Sequence, residues 1–203
     1  MKLITIVGAR PQFIKSSPLS QAIKNTQNTD FQIFEKIIHT GQHFDHRMSE
    51  LFFNELEITK PHFNLGISSG THGSNTGRML IEIEKILINE KPEGLIVYGD
   101  TDSTLAGALA ASKIDIPIFH IEAGLRSFNT KMPEELNRKI TDHLSSFCFA
   151  PTDVAVLNLR KEGINDSKII RIGDIMLDAA KMYEHKAKNN FSLLRKYDLE
   201  KKI

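Results

Sequence analysis

Two glutamates carry the strongest chemical signal in this chain. Glu122 directly follows the apolar run Ile116-Pro117-Ile118-Phe119-His120-Ile121, and Gly124 just beyond it permits close approach by another group. Glu134 follows Met132-Pro133, so it lies in the first turn of a helix that Pro133 opens. Two carboxylates on facing loops can divide general-acid and general-base work if their environments separate their pKa values. The plainer reading of Glu134 is a charge favoured by the helix dipole. Arg138 lies on the same helix face as Glu134. It either pairs with Glu134 at the surface or holds a phosphate while Glu134 moves a proton.

Other loops add charge and hydroxyls. Gly8-Ala9-Arg10-Pro11-Gln12-Phe13-Ile14-Lys15 turns from a strand into a helix, with Pro11 suited to the first helical turn. The free N–H groups of that turn favour an anion, and Arg10 and Lys15 add positive charge. The alternative is a turn with solvated charges. The segment lacks the G-x-G-x-x-G pattern, which argues against a dinucleotide. In Gly99-Asp100-Thr101-Asp102-Ser103-Thr104, Thr101 or Asp102 can cap the next helix, and one carboxylate is then left for another task. Paired aspartates can bind Mg²⁺, but no third carboxylate stands nearby in sequence, and no metal is expected. His43, in Thr40-Gly41-Gln42-His43, is a candidate substrate contact or a solvated loop residue. The stretch from Ser68 to Arg78, rich in glycine and hydroxyls, suits either a lid or a plain flexible connection.

The elements that must position these loops alternate along the chain. Strands are expected at 2–7, 33–40, 94–99, 117–121, 147–150 and 168–172, and helices near 11–25, 45–57, 72–90, 102–113, 133–144, after 151 and near 175–188. Residues 58–70 read as a loop. This alternation predicts βαβ units and a Rossmann-like parallel sheet with helices on both faces. All strand C-termini then lie along one edge, where such sheets bind ligands. Arg10, Asp100, Glu122 and Glu134 should therefore line one crevice, with His43 at its rim. Residues 1–180 read as this domain. Residues 181–203 turn polar and then amphipathic, as a linker or helix leading to a second domain.

Bulk properties narrow the partners. A chain of 203 residues with net charge +1 has no broad field to draw nucleic acid or an anionic membrane. No apolar run is long enough for a membrane span, and no signal peptide is evident, so a cytoplasmic location is expected. The single cysteine, Cys148, sits between Phe147 and Phe149 and reads as a core thiol.

Taken in order, the loops resemble the non-hydrolysing UDP-N-acetylglucosamine 2-epimerases. The residues carrying the likeness are Gly8-Ala9-Arg10-Pro11-Gln12, Thr40-Gly41-Gln42-His43, Tyr98-Gly99-Asp100-Thr101, His120-Ile121-Glu122-Ala123-Gly124-Leu125-Arg126 and Pro133-Glu134-Glu135-Leu136-Asn137-Arg138. Pro151-Thr152 and Gly173-Asp174-Ile175-Met176-Leu177-Asp178 continue it. Many members have Gly-Thr-Arg-Pro-Glu in the first loop, where this chain has Ala9 and Gln12.

The resemblance implies the N-terminal domain of a glycosyltransferase-B-like pair, with the active site between domains. It implies inversion at C2 of a UDP-linked N-acetyl amino sugar, by elimination of UDP to a glycal and re-addition from the other face. Asp100, Glu122 and Glu134 carry over as acid–base carboxylates, and Arg10, Lys15 and Arg138 as substrate or phosphate contacts. No metal or nicotinamide cofactor is implied, and a homodimer is expected. Family chains continue into a second domain that supplies most of the UDP site and a further histidine, and that motif does not occur here. The chain by itself is therefore expected to be inactive. Alternatives are an epimerase of UDP-2,3-diacetamido-2,3-dideoxyglucuronic acid, a glycosyltransferase domain, a dinucleotide oxidoreductase and a non-enzymatic truncated module.

Overall fold

A computed structural model describes residues 1–26, 30, 32–41 and 59–189. Seven parallel strands form one sheet: β1 Lys2–Val7, β2 Phe34–His39, β3 Phe63–Asn64, β4 Gly94–Tyr98, β5 Ile118–Ile121, β6 Phe147–Ala150 and β7 Ile169–Arg171. Their order is β3-β2-β1-β4-β5-β6-β7. The described α-helices are α1 Arg10–Asn25, α2 His72–Glu90, α3 Asp102–Lys113, α4 Pro133–Leu144, α5 Asp153–Lys161 and α6 Ile175–Asn189. The chain leaves β1 in one direction to β2 and β3, and returns through β4 to build the other half. β1 and β4 therefore flank the point where strand order reverses, which in such sheets opens a binding crevice.

Strand composition follows from this arrangement. Central strands of a parallel sheet are covered on both faces and read as continuous apolar runs. Side chains alternate across them. Ile4, Ile6, Leu95 and Val97 pack with Met79, Ile83 and Leu87 of α2 and the alanines of α3, while Leu3, Ile96 and Tyr98 pack with Ile23 of α1 and Ile175 of α6. Met79, Ile83 and Leu87 recur every fourth residue and form the buried row of α2. Gly107 lets α3 lie close to the sheet, because a Cβ there would stand 3.0 Å from Ile6 Cγ1.

The expected doubly wound α/β sheet is thus the observed one. Phe63–Asn64 is a strand within the segment expected to be loop; two residues beside Pro61 are too short to show a periodic pattern. The strand expected to run to Gly99 ends at Tyr98, because Gly99 takes a left-handed φ of 62°. The helix expected near 45–57 lies outside the described residues. Cys148 is buried in the core, where burial pushes its thiol up to about 12. Among the described residues no helix is long and apolar enough to cross a membrane.

Candidate active site

Each chemical loop leaves the C-terminal end of a strand. β1 runs into α1 through Gly8, where a Cβ would lie 2.0 Å from Ser103 Oγ and 2.4 Å from Thr40 Oγ1. Only glycine allows the ends of β1 and β2 to meet the first turn of α3 this closely. Arg10 is the first residue of α1 and is exposed at the sheet edge, while Lys15 lies one turn deeper. Its Nζ donates to Glu122 Oε2 at 2.5 Å, and both side chains are largely buried.

Glu122 follows β5 directly and has a φ of 67°, uncommon for a residue with a Cβ. Strain of this kind costs on the order of 1–3 kcal/mol and persists where the surroundings over-determine it. The turn after β4 faces it: a Cβ on Gly99 would be 3.3 Å from Glu122 Oε2 and 3.9 Å from Lys15 Nζ. Asp100, next to Gly99, accepts a hydrogen bond from Arg138 Nη2 on α4. Arg138 Nη1 also reaches Glu135 Oε2 at 3.3 Å. Two carboxylates on neighbouring strand ends thus each hold one cation, Glu122 with Lys15 and Asp100 with Arg138.

The sequence left open what each charge in the Asp100 loop does. Thr101 is the cap of α3, accepting from Thr104 N. Asp102 is freed from that role and accepts from Asn137 Nδ2 at 3.1 Å, while its other oxygen meets His72 Nδ1 at 2.6 Å. This hydrogen bond raises the pKa of exposed His72, and the nearby Glu134 charge adds to the effect. Glu134, half-buried in the first turn of α4, is therefore on the same side of the site as Asp102. The ion pair of Arg138 is with Asp100 and Glu135 rather than Glu134, since Arg138 turns inward toward the β4 turn. Asp100 and Asp102 point to separate partners, and among the described residues no cluster of His, Cys, Asp or Glu is arranged to hold a metal. His43 lies outside the described residues.

Several residues to which the sequence assigned no role build the site from behind. Gln12 is 2 % exposed. Its Oε1 accepts from Gly8 N at 2.8 Å and Ala9 N at 3.0 Å, and its Nε2 reaches Tyr98 O at 2.8 Å. Ala9 cannot cap α1 with a side chain, so Gln12 does that work from the third helical position. Glu135 is fully buried and accepts from Ser127 N, Ser127 Oγ and Phe128 N. Burial would raise its carboxyl, but those bonds and Arg138 hold it below the usual carboxylate range. They also pin Phe128, which has a φ of 59° and projects its ring into solvent.

Below the Glu122 turn lies a fully buried charged group. Asp142 Oδ1 meets His120 Nδ1 at 2.7 Å, and Asp142 Oδ2 accepts from Arg126 Nη2 at 2.7 Å and Gly124 N at 3.1 Å. His120 Nε2 reaches Gly99 O at 2.7 Å. Burial would raise the Asp142 carboxyl, but His120 and Arg126 outweigh it and leave it lowered. One signal was available in the sequence. The buried residues of α4 are Glu135, Asn137, Thr141 and Asp142, whereas Leu136 and Ile140 are exposed. A helix that turns its polar face to the sheet is building a site rather than a core.

Comparison with known proteins gives a consistent result. Residues 23–203 match the family model described as UDP-N-acetylglucosamine 2-epimerase. A Methanococcus maripaludis protein named UDP-N-acetylglucosamine 2-epimerase homolog is 54% identical over 206 residues, covering 100% of this chain and 55% of that one. The UDP-2,3-diacetamido-2,3-dideoxy-D-glucuronate 2-epimerase of Pseudomonas aeruginosa is 55% identical over 95% of this chain and 54% of its own. The crystal structure of the Methanocaldococcus jannaschii UDP-GlcNAc 2-epimerase in complex with UDP-GlcNAc and UDP superposes with a TM-score of 0.90 at 48% identity, covering 98% of this chain and 53% of that one. The chain spans about half the length of the curated relatives it matches.

Proposed function

The chain belongs to the UDP-N-acetylglucosamine 2-epimerase family, and from that membership we propose that it forms the acid–base wall of an enzyme inverting C2 of a UDP-linked N-acetyl amino sugar. The observation that carries the reading is the pair of cation-bound carboxylates on adjacent strand ends, Glu122 with Lys15 and Asp100 with Arg138. A carboxylate of the set Asp100, Glu122 and Glu134 takes the proton from C2. The C1–O bond to UDP breaks, and a glycal forms. UDP adds back to C1 while a proton reaches C2 from the opposite face, converting the gluco to the manno form. Lys15 and Arg138, released from their carboxylates as substrate enters, and Arg10 at the helix N-terminus offset the charge on the departing diphosphate. His43 is a further substrate contact in this scheme. Residues 1–180 form the domain that holds these groups, and 181–203 lead toward a second domain that closes the cleft. The location is cytoplasmic.

The substrate is UDP-N-acetylglucosamine in the first reading. The diacetamido-glucuronate is the second, supported by the 55% identity to the Pseudomonas aeruginosa enzyme of that name. A homodimer is part of the proposal, and the exposed row of Met132, just before α4, with Leu136 and Ile140 on α4 supports it. The test joins this chain to the part of the Methanocaldococcus jannaschii enzyme that it does not cover. Incubation with each UDP-sugar is followed by separation of gluco and manno epimers. The joined protein should interconvert one of them, and the 203-residue chain alone should not. A folded joined protein that turns over neither sugar sinks the proposal.

A further inference from the structure

Asp142 touches none of the proposed acid–base carboxylates, yet it sits at the centre of the bonds that hold their turns. We propose that Asp142, acting through His120, Gly124 and Arg126, is a positioning residue: one buried carboxylate that fixes the Asp100 turn against the Glu122 turn. The inference rests on the acid–base reading of those two carboxylates.

Two chains of contact run outward from Asp142. On one side its Oδ2 accepts from Gly124 N at 3.1 Å, two residues beyond Glu122, while Asn158 Nδ2 holds the Gly124 carbonyl at 2.9 Å. On the other, Oδ1 meets His120 Nδ1 at 2.7 Å, and His120 Nε2 reaches the carbonyl of Gly99, one residue before Asp100, at 2.7 Å. A carbonyl and a carboxylate only accept, so in the proposed bridge both ring nitrogens of His120 donate, one to each turn. Arg126 completes the charge balance, bound to Asp142 at 2.7 Å and to Glu162 at 2.5 Å. The side chains of His120, Asp142 and Arg126 are all fully buried.

This is an expensive way to fill a core. Buried ion pairs are often no more stabilising than apolar side chains of similar volume, so their worth lies in geometry. The geometry needing support is explicit. Gly99, Glu122 and Gly124 all take left-handed backbone, with φ of 62°, 67° and 81°. A backbone hydrogen bond from Gly99 N to Ile121 O at 3.0 Å joins the bases of the two turns, and beyond it the Asp142–His120 bridge ties the Gly99 carbonyl to the Gly124 amide. A misplacement of about 1 Å in such a site can cost about 10²-fold in rate.

The test uses two substitutions that cut the bridge at different ends. Glutamine at 120 can place its amide nitrogen where Nε2 lies, keeping Gly99 and losing Asp142. Asparagine can place its nitrogen where Nδ1 lies, keeping Asp142 and losing Gly99. His120→Gln and His120→Asn in the joined protein should each lower kcat about 10²-fold with little change in KM. Asp142→Asn, which keeps an acceptor for Gly124, should do the same. A folded variant of either kind with near-normal kcat overturns the proposal. In the 203-residue chain, ¹⁵N NMR should show two ring N–H protons on His120, both slow to exchange. A single ring proton overturns it too, whatever the joined protein does. Failure of the unsubstituted joined protein to epimerise would instead count against the proposed function alone.

Discussion

The two walls of the crevice are held by opposite chemistries. On the β1 side the hub is neutral: Gln12 ties Gly8 and Ala9 to the carbonyl of Tyr98, and its Nε2 also lies 3.0 Å from the hydroxyls of Thr101 and Thr104. On the β5 side the hub is charged: Asp142 binds His120, Arg126 and Gly124 with no exposure to water. Both do the same mechanical work, fixing strand-end turns. They differ in what happens when a partner is lost. An amide hub that loses a bond leaves a neutral group unsatisfied, whereas a charged hub leaves a buried ion uncompensated. The second arrangement is the more fragile, and it lies directly beneath Glu122.

That contrast can be sharpened by substitution. The largest effect should fall on the groups the walls present rather than on the walls. Glu122→Gln and Glu134→Gln in the joined protein should each slow epimerisation on the order of 10²–10⁴-fold, read from initial rates. Near-normal turnover would reduce that residue to a structural charge. Next comes Asp142→Ala, which takes the carboxylate from His120 and one of two carboxylates from Arg126 and should cost about 3–5 kcal/mol in urea unfolding of the 203-residue chain. Gln12→Ala should cost about 1–3 kcal/mol in the same experiment, since only neutral groups lose their partners. If Gln12→Ala proved the worse of the two, the distinction between the walls would be wrong. Weakest should be Arg160→Ala, which breaks an exposed pair with Asp166 worth at most about 1 kcal/mol.

Acid should probe the neutral side separately. Burial lowers His39 to about 4, from 6.5. The unfolded chain then binds more protons than the native one between those values, so stability rises with pH across that window. It should be fully present above about 6.5 and fall by about 3 kcal/mol as pH drops toward 4. His39→Gln should flatten this part of the profile, measured as urea midpoints against pH. An unchanged slope would assign acid sensitivity elsewhere. His72, raised by Asp102, has the opposite sign. Its contribution is present below its unfolded pKa and lost as pH rises through the folded one.

Much of this protein was legible from residue order alone. Continuous apolar runs with helical periods between them specify a parallel sheet, because a strand buried on both faces has no polar side to show. That sheet fixes which loops share an edge, and so the sequence leads one to expect Arg10, Asp100, Glu122 and Glu134 along one crevice with His43 at its rim. The pairings could not be read. Arg138 stands one helical turn from Glu134, and local spacing favours that pair, but the packing of α4 against α3 sends it to Asp100. The long-range partners of Asp142 and Gln12 carry no local signature either. Asp142 meets its partners 16 to 22 residues away in the chain, and Gln12, besides holding nearby Gly8 and Ala9, reaches Tyr98 86 residues on. Sequence patterns report what a residue needs from its neighbours in the chain, such as burial, a cap or a turn. Which distant carbonyl a buried side chain meets depends on how helices settle against the sheet, and only the tertiary structure decides that.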